Sequence, residues 1–394
     1  MKPASRLAQI KPSPTLALNA KAKELRAQGQ PIINLSVGEP DFDTPEHIKQ
    51  GAIAAINAGK TKYTAPDGTP ELKAAIINKF KQENQLDYQP SEIIVSAGAK
   101  HSLYNIAQAL IDEGDEVIIP APYWVSYPDI VMLAGGKPVI VEASFEQNFK
   151  ITAEQLEKAI TPKTKFVIIN SPSNPTGMDY SLAELKDLAD VLKKHSHVNI
   201  ISDDIYEHIR WSDQPFVNIL NACPELKDRT LIVNGVSKGY AMTGWRIGYI
   251  AGPKIAITAM RKIQSQSTSN PCSVAQEAAR TALEDSTSIS CINEMVKEFK
   301  KRHDLVTSRL NTISGMRCLG VEGTFYAFVN VDGVIAGRDD INSDSELAEL
   351  LLNEANVASV PGSAFGSPGH LRLSYALDEA TLTQALDQIE KALS

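Results

Sequence analysis

The sequence contains few cysteines. The four that it has, Cys223, Cys272, Cys291 and Cys318, stand in no CxxC spacing, which argues against both a zinc cluster and a redox pair. Scattered thiols of this kind are typical of a protein in a reducing compartment rather than of a disulfide framework. We therefore expect neither a disulfide nor a bound metal.

Long apolar runs and long runs of lysine or arginine are also missing. No apolar segment is long enough to span a bilayer, and residues 1–29 lack the continuous apolar stretch of a signal peptide. We therefore expect a cytoplasmic protein without a membrane partner. A formal net charge of −8 without clustered cations argues against nucleic acid as a partner. A few well-placed arginines can still bind a small anionic substrate.

What the sequence does contain is a repeated alternation of short apolar runs with amphipathic stretches of helical character. Strand runs that alternate with helical runs are typical of a mostly parallel sheet that is covered on both faces. The predicted fold class is therefore α/β. The apolar runs are residues 92–95, 116–119, 138–141, 166–169, 199–201, 231–233 and 247–251.

The length of 394 residues suits two domains rather than one. We assign residues 1–45 to an N-terminal arm that forms part of a small domain, and residues 46–285 to a large domain. Residues 286–394 form a smaller α+β domain with a long charged helix, a strand next to Gly323 and a terminal helix.

Polar clusters follow five of the apolar runs. In a sheet of this kind the ligand crevice lies beyond the carboxyl ends of the strands. The clusters should therefore meet at one edge of the sheet and form one site. They are residues 96–100, 122–124, 170–177, 202–206 and 234–238.

Lys238 and Asp203 are the first candidates for chemistry. Lys238 is either a surface cation or, as its place after a buried strand favours, a crevice lysine that forms an imine with a carbonyl. Asp203 is either a helix N-cap or the partner of a protonated ring nitrogen, which would make that ring an electron sink. Tyr206 reaches the same ring if the segment turns helically.

Further candidates lie in the same clusters or in, or next to, apolar runs, and two of them, Arg246 and Trp124, have two interpretations. Residues 96–100 open a helix, whose free N–H groups suit a phosphate. Arg246 either contacts that phosphate or forms a surface ion pair. Asn174 lies in a turn that also aims its side chain into the crevice, and Trp124 either packs in the core or stacks on a flat heterocycle. Arg372, in an apolar run, suits a carboxylate.

Seven stretches of the sequence together resemble the class I/II aminotransferases of fold type I. The similarity extends from about residue 11 to the C-terminus and is greatest to bacterial aspartate aminotransferases, in the subgroup that includes bifunctional aspartate/prephenate enzymes. Each motif alone is weak, whereas their order and spacing are specific. The stretches are residues 38–42, 62–64, 174–177, 202–206, 237–239, 243–248 and 371–374.

The resemblance implies a seven-stranded fold type I sheet and pyridoxal 5′-phosphate as cofactor. Lys238 then carries the cofactor as a Schiff base and shuttles a proton between Cα and C4′, and Asp203 pairs with the pyridine nitrogen. Tyr206 and Asn174 hydrogen-bond the 3-oxygen of the ring. The remaining cofactor contacts implied are Gly98, Ala99, Lys100, Ser237 and Arg246 around the phosphate and Trp124 over the ring.

The resemblance also implies how the substrate is bound. Arg372 binds the α-carboxylate beside Asn174, and Gly38 lies against the amino acid. Tyr63 reaches the phosphate from the neighbouring subunit, which implies a homodimer with shared active sites. The arginine that binds the far carboxylate in the other major aspartate subgroup has no counterpart in this sequence, so the candidates are Lys100 and Lys11, together with the indole N–H of Trp124.

Two positions depart from the broader family pattern. Asp204 replaces a glutamate that often follows the ring-nitrogen aspartate, and we expect its side chain to point away from the ring. Gly235 replaces a hydroxyl residue of the other major aspartate subgroup, which puts a side-chain contact to the phosphate there in doubt even though Ser237 is near.

The activity implied is transfer of an amino group between aspartate or glutamate and a 2-oxo acid, in a ping-pong reaction through pyridoxamine phosphate. Within the same chemistry, an enzyme for aromatic amino acids or prephenate is the alternative. A β-C–S lyase would use the same lysine and aspartate. An effector domain of a transcription regulator is disfavoured because residues 1–30 are too short and too weakly basic for a DNA-binding domain.

Overall fold

The computed structural model describes residues 1–10 and 14–394. The strands are β1 Ile33–Asn34, β2 Ile93–Ser96, β3 Glu116–Ala121, β4 Lys137–Glu142, β5 Thr164–Asn170, β6 Asn199–Asp203, β7 Thr230–Gly235, β8 Gly248–Ala251, β9 Arg317–Cys318, β10 Tyr326–Asn330, β11 Val357–Ala358, β12 Val360–Pro361 and β13 His370–Ser374. The α-helices are α1 Pro14–Ala27, α2 Glu46–Asn57, α3 Pro70–Glu83, α4 Ala99–Leu110, α5 Ser126–Leu133, α6 Ala153–Ala159, α7 Leu182–Lys194, α8 Ile219–Ala222, α9 Lys254–Ser267, α10 Ser273–Glu284, α11 Thr287–Leu310, α12 Asp332–Ala336, α13 Asp344–Glu354 and α14 Glu379–Leu393.

The large sheet has seven strands in the order β2-β8-β7-β6-β5-β3-β4. Strand β8 runs antiparallel to both of its neighbours, and the other six strands are parallel to one another. The central strands are buried along their length because helices cover both faces, with α4, α5 and α9 on one side and α2, α3, α7 and α10 on the other. The predicted α/β class and all seven predicted strands are confirmed.

The second sheet is antiparallel, in the order β12-β13-β10-β9, and packs with α11, α13 and α14 around a core of its own. The short strand β1 pairs in parallel with β11, in the register Ile33 to Val357, so the N-terminal segment joins the C-terminal part of the chain. The α+β character expected for this part is confirmed. The division after residues 45 and 285 stays a prediction.

Some element bounds differ from those expected, and the differences matter for the site. Strands β6 and β7 extend to Asp203 and Gly235, because backbone pairing continues two residues beyond the apolar runs. Asp203 is therefore a strand residue and not part of a loop. Within the described residues, no helix is long and apolar enough to cross a membrane.

Candidate active site

A cavity of about 390 Å³ lies at the carboxyl edge of the large sheet, between it and the antiparallel sheet. The carboxyl ends of parallel strands share one edge, so polar residues that are distant in sequence meet there. The cavity is lined by most of the residues that the sequence singles out, namely Gly38, Ala99, Lys100, Trp124, Asn174, Asp203, Tyr206, Ser237, Lys238, Arg246 and Arg372.

Lys238 lies in the loop that follows β7. Its Nζ donates to the carbonyl oxygen of Gly38 at 2.6 Å and lies 5.7 Å from the centre of the Tyr206 ring. Burial and the nearby positive charge of Arg372 lower the pKa of Lys238 from its ordinary value to about 8. A useful fraction of the side chain is therefore a neutral amine, the form that reacts with a carbonyl.

The lowered pKa predicts how Lys238 reacts in the cofactor-free chain. The rate at which it forms an imine with a small aldehyde should rise about tenfold per pH unit below pH 8 and level off above it, because only the neutral amine reacts. The product can be trapped with borohydride and located by mass spectrometry. An ordinary exposed lysine, whose pKa is about 10.4, would instead continue to gain reactivity from pH 9 to pH 10.

Asp203, the last residue of β6, is only 4% exposed. The hydroxyl of Tyr127 donates to its Oδ2 at 2.6 Å. Burial raises the pKa of Asp203 to about 6, although the Tyr127 hydrogen bond opposes this. No ion pair to Asp203 occurs among the described residues, so a cationic N–H donor in the cavity would stabilise the carboxylate. The N-cap alternative is wrong, because turns and not a helix follow.

Tyr206 and Asn174 face the cavity from two neighbouring strand ends. The hydroxyl of Tyr206 shares a hydrogen bond of 2.9 Å with that of Tyr326, and burial raises the pKa of Tyr206 well above its ordinary value, so it stays a phenol donor. The backbone N–H of Asn174 donates to Asn170 Oδ1 at 2.9 Å, which fixes the turn. Asn170 Nδ2 also donates to the carbonyl oxygen of Asp203, which ties the two strand ends together.

An anion-binding cradle lies where α4 begins. Gly98 has a φ of +88°, and a Cβ atom there would lie 2.3 Å from Arg246 Nη2, so only glycine fits. The first-turn N–H groups of α4, those of Ala99 and Lys100, have no partner within the helix and favour an anion. Arg246 donates to Thr243 O at 2.7 Å. It forms no ion pair among the described residues, contrary to the surface-pair alternative.

The two departures from the family pattern have structural reasons. A Cβ atom at Gly235 would lie 2.9 Å from the carbonyl oxygen of Ile247 and 3.0 Å from the Cα of Gly248, so a hydroxyl residue would require the backbone where β8 begins to shift. Asp204 accepts hydrogen bonds from Ser202 at 2.6 Å and Asn218 at 2.8 Å, outside the cavity. The expectation that Asp204 points away from the site is confirmed.

Trp124 and Lys100 form one wall of the cavity. The Lys100 ammonium lies 4.9 Å from the centre of the Trp124 ring, a distance typical of a cation–π contact. Burial, and to a lesser extent the charge of Arg246, lower the pKa of Lys100. Trp124 also contacts Tyr127 edge to face at 5.4 Å and is half-buried, so one part of its ring remains open to the cavity.

Arg372 on β13 is 2% exposed. Its Nη1 donates to Asn174 Oδ1 at 2.9 Å and its Nη2 to the carbonyl oxygen of Ser36 at 2.7 Å. Its Nε is buried without a hydrogen-bond partner, and the guanidinium stacks 4.5 Å from the Tyr326 ring centre. No ion pair to Arg372 occurs in the described part of the chain. A buried, incompletely satisfied cation of this kind suits a carboxylate ligand.

The support of Arg372 reaches back to the N-terminal helix. Asn34 Oδ1 accepts from the backbone N–H and the hydroxyl of Ser36, whose carbonyl holds Arg372. Asn34 Nδ2 donates to Asn19 Oδ1 at 2.8 Å, and Asn19 itself lines the cavity from α1. Helix α1 is therefore connected by hydrogen bonds to the guanidinium.

Two of the described candidates, Gly98 and Tyr63, do not line the cavity. Gly98 lies directly behind the cradle, against Arg246. The side chain of Tyr63 is 92% exposed and lies outside the cavity in this single chain. Lys11 lies outside the described residues.

The structure also adds residues that the sequence did not single out. Tyr127, which donates a hydrogen bond to Asp203, lies one turn beyond Trp124. Its spacing from Trp124 is the signal in the sequence that could have identified it as a site residue. Tyr326 could not be found from sequence, because it reaches the site from the other sheet. Asn19 lines the cavity and lies in none of the predicted stretches, whereas Asn170, Thr243 and Glu39 line it from within the predicted stretches 170–177, 243–248 and 38–42.

The chain is similar to known proteins over its whole length. Residues 30–389 match the family model described as aminotransferase class I and II. The chain is 55% identical, over the whole of both chains, to the aspartate/prephenate aminotransferase of Nitrosomonas europaea. A crystal structure of the Rhizobium meliloti aspartate aminotransferase matches with a TM-score of 0.96 at 49% identity, covering 100% of this chain and 99% of that one. The Thermus thermophilus aspartate aminotransferase with maleate matches with a TM-score of 0.94 at 42% identity over both entire chains. The chain therefore belongs to the class I and II aminotransferases and has the fold type I architecture of these enzymes.

Proposed function

We propose that this aminotransferase uses pyridoxal 5′-phosphate to convert L-aspartate and 2-oxoglutarate into oxaloacetate and L-glutamate. The observation that carries the proposal is one cavity that combines a lysine of lowered pKa, a buried unpaired carboxylate and a buried guanidinium. These are Lys238, Asp203 and Arg372. The four cysteines are free thiols, which agrees with a reducing compartment such as the cytoplasm.

The residues present fit the cofactor group by group. The first turn of α4 and Arg246 form a cradle for a phosphate, which Ser237 also borders. Asp203 would accept from a protonated ring nitrogen, and Trp124 offers a face for stacking. Tyr206 and Asn174 would hydrogen-bond an oxygen on the ring. When bound, the cofactor supplies a carbonyl carbon and an electron-poor ring that delocalises negative charge.

The chain contributes binding, orientation and proton transfer. Lys238 would hold the cofactor and, once displaced by the substrate amine, its neutral Nζ would take the proton from the substrate Cα and return it at C4′. The ionised Asp203 would keep the ring nitrogen protonated. Arg372 would orient the substrate through its α-carboxylate, with Gly38 against the amino acid, so that the Cα–H bond faces Lys238.

A second carboxylate on the substrate is favoured by the charges of the cavity. Besides Arg372, the cavity wall carries Lys100 and Arg246, and Lys100 lies next to Trp124. We infer that Lys100 binds the far carboxylate, and Lys11 remains a second candidate. The Thermus thermophilus relative binds maleate, a four-carbon dicarboxylate, which supports this choice.

An aromatic amino acid or prephenate as second substrate is the alternative. It is supported by the name of the Nitrosomonas europaea relative, an aspartate/prephenate aminotransferase, and by the apolar wall that Leu103, Trp124 and Val125 give the cavity. A β-C–S lyase is less favoured, since the relatives are named as aminotransferases.

A half-reaction panel tests the proposal. The cofactor-loaded enzyme is mixed in turn with aspartate, glutamate, phenylalanine, tyrosine and arogenate, and loss of the absorption band of the lysine-bound cofactor is followed. Fast loss with aspartate and glutamate is expected. If none of the five amino acids reacted, transamination would be refuted. Fast loss of the band with arogenate or tyrosine alone would favour the alternative substrate. Formation of a 2-oxo acid and ammonia in the absence of an amino acceptor would indicate a lyase.

We also propose that the enzyme is a homodimer whose active sites are shared. The support is Tyr63, whose large and almost fully exposed side chain stands on a rigid loop. Two buried glutamines fix this loop, because Gln276 binds Thr64 and Thr69 and Gln264 binds Pro66. Tyr63 would reach the phosphate bound by the partner subunit.

Replacing Tyr127 with phenylalanine tests the proposed role of Asp203. Loss of the 2.6 Å hydrogen bond should raise the pKa of Asp203 further and shift the acidic limb of kcat against pH to higher pH. A hydrogen bond to a charged group is worth about 1.5–3 kcal/mol, which corresponds to a rise of the Asp203 pKa by about one to two units in the cofactor-free chain. Tyr180→Phe, which removes a buried hydroxyl bonded to Ile151 N, is the control. An unshifted acidic limb would contradict the role.

A further inference from the structure

A cluster of charged and amide side chains, buried except for Glu83 and His208, lies directly behind the active site. Lys79 on α3 and Glu207 are 2% and 6% exposed, and the Lys79 ammonium donates to the Glu207 carboxylate. Burial of an ion pair is costly unless further hydrogen bonds satisfy both groups, so a pair of this kind requires an explanation. The cluster consists of Lys79, Glu83, Asn84, Glu207, His208 and Asn234, none of which lines the cavity.

Hydrogen bonds satisfy both members of the pair. Glu207 Oε1 accepts from Asn234 Nδ2 at 2.7 Å and Oε2 from Asn84 Nδ2 at 2.8 Å. Lys79 donates further to Asn84 Oδ1 at 2.7 Å and lies 3.4 Å from Glu83. Although burial alone would raise the pKa of Glu207, Lys79 holds it well below its ordinary value, so the side chain is a carboxylate.

The bond between Glu207 and Asn234 joins the two segments that carry the chemistry. Glu207 comes directly after Tyr206, and Asn234 lies in β7, four residues before Lys238. The backbone register between β6 and β7 ends at the pair Asp203 and Val233. Beyond this point the side-chain bond continues the connection, and Asn234 Oδ1 in turn accepts from the N–H of Gly235 at 2.7 Å.

His208, the residue after Glu207, contacts the segment that follows Lys238. A Cβ atom at Gly239 would lie 2.9 Å from His208 Cβ, and the His208 ring packs edge to face on Tyr240 at 5.4 Å. His208 is itself bonded to Glu83 at 2.8 Å. Glu207 and His208 therefore hold the chain both before and after Lys238.

We propose that Glu207 is a positioning residue that fixes Lys238 relative to Asp203 for the proposed reaction, on which this inference rests. It acts through Asn234, and Lys79 neutralises its charge. The group Glu83, Glu207 and His208 also has the spacing of metal ligands, but the Lys79 ammonium already supplies the positive charge between the two glutamates.

The test compares two double variants that both remove the buried charges. Lys79→Met/Glu207→Gln keeps an amide oxygen that accepts from Asn234, whereas Lys79→Met/Glu207→Leu has no acceptor. A displacement of about 1 Å can cost up to about 100-fold in rate, so we expect kcat of the Leu variant to be at least about tenfold below that of the Gln variant. KM for the amino donor should differ less than about threefold, because Arg372 is not moved.

A second readout does not need the cofactor. In the cofactor-free chain, the pH midpoint of the Lys238 reaction with a small aldehyde should stay near 8 in the Gln variant. In the Leu variant the loop is free to move, Lys238 becomes better hydrated, and the midpoint should rise toward its ordinary value of about 10.4. A role in overall stability alone would leave this midpoint in place.

Arg229→Met is the matched control for lost stability. Arg229 closes the opposite end of β7 by donating to the carbonyl oxygens of Leu192, His195 and Val198. Its removal should lower Tm without changing kcat or the pH midpoint. If the Leu double variant does not fold, Asn234→Ala in the natural background replaces it and should give the same fall in kcat at nearly constant KM.

Equal kcat and equal midpoints in the Gln and Leu variants would overturn the positioning role. So would a fall in kcat that simply follows Tm across all variants, Arg229→Met included. Failure of the natural enzyme in every half-reaction would instead overturn the proposed function, so the two failures are distinguishable.

Discussion

Replacing Lys238 with alanine is expected to lower kcat by at least about 10⁴-fold. General acid–base transfer by one positioned side chain is worth about 10²- to 10⁴-fold, and Lys238 has the additional task of binding the cofactor covalently. Its Nζ lies in the cavity, with a pKa of about 8 and a hydrogen bond to the Gly38 carbonyl. Among the lysines of the cavity wall, Lys100 lies near the anion cradle and Trp124 and is not placed to replace it.

The measurement pairs single-turnover kinetics with the absorption spectrum. The alanine variant should lose the band of the lysine-bound cofactor yet still retain the cofactor through the cradle at Arg246. Lys238→Arg should be equally inactive, because a guanidinium stays protonated and cannot serve as a neutral amine. Lys262→Ala, on the exposed face of α9, is the control with unchanged kinetics. A Lys238→Ala variant that kept both the band and turnover would end the assignment.

The fold could be predicted because its signal is local. Each buried strand is a short apolar run between helical stretches, and the same order places Asp203, Asn170 and Lys238 at one edge. The strand ends were less predictable, since backbone pairing carries β6 on to Asp203 although the apolar run stops before it. The residue at which a strand ends depends on its pairing with a neighbouring strand, and the local sequence does not show that neighbour.

The contacts that tune the site could not be predicted for the same reason. Tyr127 acts on Asp203 across 76 positions, and Tyr206 meets Tyr326 across 120. The link between Glu207 and Asn234 likewise depends on how β6 and β7 align. These are through-space hydrogen bonds between elements, and one sequence shows only that each side chain can donate or accept.

Replacing Arg372 with leucine is expected to lower kcat/KM for aspartate about 30- to 5,000-fold. This corresponds to about 2–5 kcal/mol, the usual cost of removing one partner of a buried, hydrogen-bonded charge pair. The loss should fall on substrate capture. Cofactor affinity should fall far less than kcat/KM, because Asn174 is the one proposed cofactor contact that loses a bond to Arg372, whereas Asp203 and Arg246 do not hydrogen-bond it.

The same substitution should leave Tm within a few degrees of the natural enzyme, which separates its role from a structural one. In the substrate-free chain Arg372 is a buried cation, and burial lowers its pKa. Removal of such a charge relieves a desolvation cost that offsets the lost bonds to Asn174 and Ser36. Arg372→Lys keeps a charge but lacks the planar fork, so it should recover only part of the loss. If cofactor retention fell as far as kcat/KM, or if Arg372→Lys were fully active, the guanidinium would not be the site of the α-carboxylate.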